Sequence, residues 1–109
     1  AARELQRLLQ ACADPDDGRL LRAALGSALL GLPWSALDEL QRDEHAWEAR
    51  LLQFRDYRSQ WRRQGVLPML RRLLNDFGVP RRLIAANDER QLTDVLHLAE
   101  LLEPRIFSS

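Results

Sequence analysis

The sequence predicts an all-α domain, a compact bundle of about six or seven helices, and three observations carry that expectation. Apolar residues recur at three and four positions along nearly the whole chain, the period of a helix with one buried face. No segment alternates apolar and polar residues with the period of two that a half-buried strand needs. Glycine and proline fall between the periodic stretches, where they stop helices and turn the chain. At 109 residues, 46% hydrophobic and 29% charged, positions 1–109 read as a single helical domain with one modest core. No apolar run approaches the roughly 20 residues a membrane-spanning helix needs. The opening AARELQRLLQ is amphipathic and charged, unlike a signal sequence.

Leu5, Leu8 and Leu9 define a first helix through about Ala11, and Asp14-Pro15-Asp16-Asp17-Gly18 is a turn. Leu20, Leu21, Ala24, Leu25, Ala28 and Leu29 give a second helix, stopped by Gly31 before Pro33. Ser35, with Asp38 three residues on, reads as the cap of a short helix over Ala36 to Gln41. Asp43 then caps the longest helix, to about Arg63, on which Trp47, Leu51, Phe54, Arg58 and Trp61 share one face. Three large aromatics on that face can stack bases, but core is the commoner fate of such a stripe in a small helical domain. Tyr57 and the outward arginines read instead as surface residues.

Gln64-Gly65 breaks the long helix, and Pro68 is tolerated in the first turn of the next, where its missing N–H had no partner. Val66, Met69, Leu70, Leu73 and Phe77 form the buried stripe of that helix, Arg71 and Arg72 face out, and Gly78 supplies a left-handed cap. Pro80 opens a short helix through Ile84. The loop Ala86-Asn87-Asp88 leads into a last helix with Leu92, Val95, Leu96, Ala99 and Leu102 inward and Thr93, His97 and Glu100 in a polar row.

All 16 basic residues are arginine, balancing 16 acids. Without lysine the chain holds neither a Walker-type phosphate loop nor a Schiff-base nucleophile. Charge is polarised: between Arg50 and Arg82 nine arginines face only two acids, Asp56 and Asp76. Such a band suits a nucleic-acid backbone or an acidic partner, while pairing with neighbouring helices or plain solvation is the blander account. Catalytic constellations are absent. His45 and His97 lie on different helices without a metal-binding motif, and the single Cys12 excludes an internal disulfide or a multi-thiolate site, which fits a reducing compartment. Ser27 lacks a nucleophile elbow. A helix-turn-helix reading fails on sign, because the would-be recognition helix carries Glu89, Asp94, Glu100 and Glu103 against Arg90.

The run GVLPMLRRLLNDFGVPRRLIA, followed by ERQLTDVLHLAELLE, resembles the RecB family, the beta subunit of bacterial exodeoxyribonuclease V. The likeness is densest in the closing LTDVLHLAELL and extends back through WEARLLQFRDYRSQWRRQG and LRAALGSALLGLPWSALDEL to ARELQRLLQA, nearly the whole chain. Ile84, Gln91 and Asp94 depart mildly from the family pattern. The resemblance implies an excised accessory (2B) region of a superfamily-one DNA helicase with a nuclease domain, active in double-strand break repair and recombination in the bacterial cytoplasm. It implies ATP and magnesium for the parent protein but no cofactor, metal or catalytic residue in this segment, and DNA with RecC-like and RecD-like subunits as partners. On that reading the region positions DNA through Arg55, Arg58, Arg62, Arg63, Arg71 and Arg72, or is a scaffold for protein contacts without touching DNA.

Overall fold

The computed structural model describes residues 2–107, without the side chains of Arg105 and Phe107. Among the described residues it contains seven helices and no strand. The bundle is a slab of 36 × 35 × 21 Å, roughly two helix diameters thick.

Helix α1 (Ala2–Ala13) is its centre, packed against the second, fourth and last helices. Its spacing explains why: Leu5, Leu8, Leu9 and Cys12, at three- and four-residue steps, are fully buried together with Ala11. Asp17 caps α2 (Gly18–Leu25) by accepting the Arg19 N–H at 3.0 Å.

The second helix ends four residues before the expected Leu29. Gly26 N–H returns to Arg22 O at 3.0 Å and residues 28–31 turn instead. A continued helix would put Leu30 on the face opposite Leu21, since nine steps of 100° bring it half a turn around. The break lets Leu21, Leu29 and Leu30 all enter the core. Gly31 closes the turn at φ 65°, and a Cβ there would overlap the Arg82 guanidinium. Arg82 Nη2 in turn donates to Leu29 O at 2.7 Å, satisfying a carbonyl freed by the break.

Helix α3 (Trp34–Arg42) starts two residues earlier than expected. Ser35 is not its cap: Pro33 occupies that place without a side-chain bond, its carbonyl accepting from Ala36 and Leu37 at 3.0 and 3.1 Å. This helix has no fully buried residue. Asp43 caps α4 (Glu44–Gln64) as expected, accepting the His45 N–H at 2.9 Å. Phe54 and Trp61 are buried, Trp47, Leu51 and Arg58 partly so.

Tyr57 corrects the surface assignment, for its side chain is wholly buried. Because α4 packs against α1, α3 and α5 together, its inward arc is wider than one stripe and takes in the position three after Phe54. Phe54 meets the Tyr57 ring edge-on at 5.2 Å and Phe77 at 6.3 Å. The Tyr57 hydroxyl donates to Asp76 Oδ2 and accepts from Gln53 Nε2, both at 2.6 Å, so its polar end is satisfied at the core's edge.

Gly65, at φ 95°, joins α4 to α5 (Val66–Asp76). Val66, Met69, Leu70, Leu73 and Leu74 are buried there, whereas Phe77 lies past the helix end and is only partly covered. Gly78 adopts the left-handed conformation at φ 67° before α6 (Val79–Ala85), which carries Pro80 in its first turn. Helix α7 (Glu89–Phe107) continues through Pro104 and packs Val95 and Ala99 into the core. Near its far end Glu103 Oε2 accepts the Trp61 indole N–H at 2.6 Å, fastening α7 to α4.

Candidate nucleic-acid interface

The second half of α4 has arginine at 55, 58 and 62, steps of three and four along one helix flank, with Arg63 widening it by the adjacent position. Arg55, Arg58, Ser59, Arg62 and Arg63 line a shallow depression of about 440 Å³. Four of the six candidate arginines are therefore brought together by a single helix, and over about 12 Å of its length by the rise of about 1.5 Å per residue.

The other two lie elsewhere. Arg71 borders an apolar groove with Leu74, Asn75, Pro80, Leu92 and Leu96. Arg72 bends back onto α4, donating to Gln60 Oε1 at 3.1 Å and resting 5.5 Å over the Tyr57 ring, 4.0 Å from Asp76.

Not all four arginines of the depression are equally free. Arg55 is committed to Asp16, with Nε and Nη2 donating to the same carboxylate oxygen at 3.0 and 2.7 Å. That pair is about half exposed on both sides, so its contribution to stability is small. Arg63 Nε donates to Ser59 O at 3.3 Å, and Arg62 and Arg63 both stand in the last turn, where the negative end of the helix dipole favours them. Arg62 forms no ion pair among the described residues. Arg58 is part-buried, and its Nε is enclosed without an acceptor.

Elsewhere in the basic band, Arg82 is spent on Leu29 O, and Arg50 binds Gln53 Oε1 at 2.8 Å while lying 4.9 Å over the Phe77 ring. Much of the band's charge thus does structural duty, and only the α4 flank gathers it on one surface.

Thr93, His97 and Glu100 are all exposed on α7, and among the described residues no group of three or more His, Cys, Asp or Glu is placed to hold a metal ion. No described helix is long and apolar enough to cross a membrane.

A second surface was not singled out by the sequence reading. Trp34 is 87% exposed at the start of α3 and borders a groove of about 180 Å³ with Arg22, Leu25, Leu37, Leu40 and Trp47. Its signal was present, since Trp34, Leu37 and Leu40 recur at three-residue steps on one face. Arg22 sits 5.2 Å over the Trp47 ring at the edge of this groove.

The buried titratable groups are structural. Burial pushes the Cys12 thiol well above its ordinary value. Burial also pushes up the Tyr57 phenol, and its hydrogen bond to Asp76 adds to the effect. Both groups stay neutral in the fold while the unfolded chain ionises them in alkali. Their stabilisation is therefore full below about pH 8.5 and falls as pH rises, first through the thiol and then, from about pH 10, through the phenol. Denaturant melts between pH 8 and 11 should show a steady loss of stability. Tyr57→Phe should flatten the loss above pH 10, and an unchanged profile would remove Tyr57 from that account.

Fold and surface together define a class: a small all-α segment that displays an arginine-lined flank of one long helix and no catalytic or metal-holding cluster among the described residues. No family model matches the chain. RecBCD enzyme subunit RecB of Escherichia coli (strain K12) is 43% identical over 103 residues, 94% of this chain and 9% of that protein. RecBCD enzyme subunit RecB of Haemophilus influenzae (strain Rd) is 39% identical over 103 residues, 94% of this chain and 8% of the relative. The chain belongs to the RecB family, as the counterpart of one segment amounting to less than a tenth of its relatives' length.

Proposed function

We propose that this chain is a helical accessory segment of a RecB-type, ATP-dependent DNA helicase and exonuclease serving double-strand break repair and recombination, and that its α4 flank rests on DNA phosphates. The observation that carries the DNA contact is the shared depression of Arg55, Arg58, Arg62 and Arg63. Guanidinium groups match phosphate oxygens in pairs and read no sequence, which suits a protein that must travel along any DNA. Hydrolysis of ATP with magnesium, and strand cleavage, belong to parts of the parent outside this segment, which has no lysine for a Walker loop. The parent would work in the bacterial cytoplasm with RecC-like and RecD-like subunits.

Salt dependence tests the contact. With Arg55 committed to Asp16, a flank engaging about two or three phosphates should bind a labelled forked duplex with a slope of log affinity against log salt of about −2 to −3. Absence of binding even at low salt would sink the DNA reading for this segment.

A second reading, a scaffold that docks on protein without touching DNA, is favoured by one observation. Trp34 stands almost fully exposed beside an apolar groove, a common feature of protein contact sites.

A further inference from the structure

Arg58 is the anomaly of the arginine flank. Its neighbours are either exposed or already held: Arg55 by Asp16, Arg63 by Ser59 O. Arg58 is part-buried, its Nε is enclosed with no acceptor, and no ion pair among the described residues includes it. Only Nε is enclosed, the rest of the side chain reaching the depression, and an enclosed N–H without an acceptor is unfavourable. The depression that Arg58 lines is walled by three further arginines and the small polar Ser59, so an anion entering it meets donors and no carboxylate.

We propose that this depression is a discrete phosphate seat. Arg58 takes one backbone phosphodiester through its terminal Nη groups, Arg62 closes over the same group from the rim, and Arg55 stays locked to Asp16 as part of the wall. The two roles differ physically. Exposed Arg62 and Arg63 add long-range attraction that salt screens, whereas the part-buried Arg58 gains a charge-assisted partner it lacks in the free protein. One phosphate is thus held firmly and its neighbours along the strand loosely, which sets the register of the helix on the backbone. The proposal rests on the DNA reading for the source of its phosphate, but the seat itself is defined by the chemistry of an oxyanion.

Two probes separate these claims. The isotope-labelled 109-residue chain is titrated with a forked DNA duplex and, separately, with tripolyphosphate, while the arginine Nε–H resonances are followed by NMR. The Arg58 resonance should shift first and furthest with both. Arg58→Gln should weaken duplex binding about tenfold at low salt, while Arg63→Gln weakens it only about twofold. In the absence of ligand Arg58→Gln should melt up to a few degrees higher, because it removes an enclosed N–H that has no acceptor. That rise is not expected if Arg58 were simply part of the folding framework. Equal losses for Arg58→Gln and Arg63→Gln, with equal shifts, would overturn the seat and leave a diffuse DNA-binding strip. Tripolyphosphate shifts centred on Arg58 without duplex binding would keep the seat and remove DNA as its source. No shift with either probe overturns the proposal outright.

Discussion

Phe54→Ala is expected to destabilise the domain by about 3–5 kcal/mol, the usual range for emptying a buried phenylalanine site. Phe54 is wholly buried, touches the rings of Tyr57 and Phe77, and sits where α4 meets the rest of the core. Collapse around the gap is restricted, because Tyr57 is pinned by hydrogen bonds to Asp76 and Gln53. A domain of this size has a total stability of about 5–15 kcal/mol, so the loss removes a large share. By the usual scaling it lowers the melting temperature by about 15–30 °C. Leu52→Ala, two positions earlier on the same helix but 52% exposed, should change stability by about 0.5 kcal/mol or less. Urea or thermal melts followed by circular dichroism compare the two directly. Similar losses for both would contradict the packing of α4 described above.

Reversing the charge of the exposed pair, Arg62→Glu with Arg63→Glu, is expected to lower affinity for a forked duplex about a hundredfold or more at low salt. Two cations go, one of them from a phosphate shared with Arg58, and two anions now repel the strand, so the salt slope should fall by about one to two. Folding should survive. Both side chains are exposed, and the expected penalty is loss of favourable charge at the C-terminal end of α4, about 0.3–1 kcal/mol for each. Fluorescence anisotropy over a salt series, with a melt as control, measures both. Undiminished affinity in a folded variant would move any DNA contact off this flank and strengthen the scaffold reading built on Trp34.

Helix periodicity was legible because it is a property of neighbours in sequence. The Leu5-Leu8-Leu9 spacing of α1, the Asp43 cap and the left-handed Gly78 each depend on a few adjacent residues, and each stands where local reasoning puts it. Ser35 failed as a cap for a local reason too: Pro33 already presents its carbonyl to the first turn, which leaves Ser35 inside the helix. Leu30 shows where neighbours stop being enough. The stripe from Leu20 to Leu29 was a sound helical pattern, yet burying Leu30 and satisfying Leu29 O required Arg82, more than fifty positions away. The arginine flank was legible in part, because residues 55 to 63 share a helix, while Arg71 and Arg72 were grouped with them by charge alone: Arg71 borders a different groove, and Arg72 reaches α4 at Gln60, outside the depression.

What the sequence by itself determined is the helical class, most boundaries to within about two residues, and membership in a family through an ordered run of residues on α5, α6 and α7. Those follow from local stereochemistry and from residue order, which need no partner across the fold. Only the tertiary structure decided which polar and aromatic groups lie inside. Tyr57 was sent inward by the helices flanking α4, Arg82 was drawn to a freed carbonyl, and the Arg58 Nε was enclosed without an acceptor. Burial and charge pairing are set by distant segments meeting in space, which is why neighbours in sequence could not foretell them.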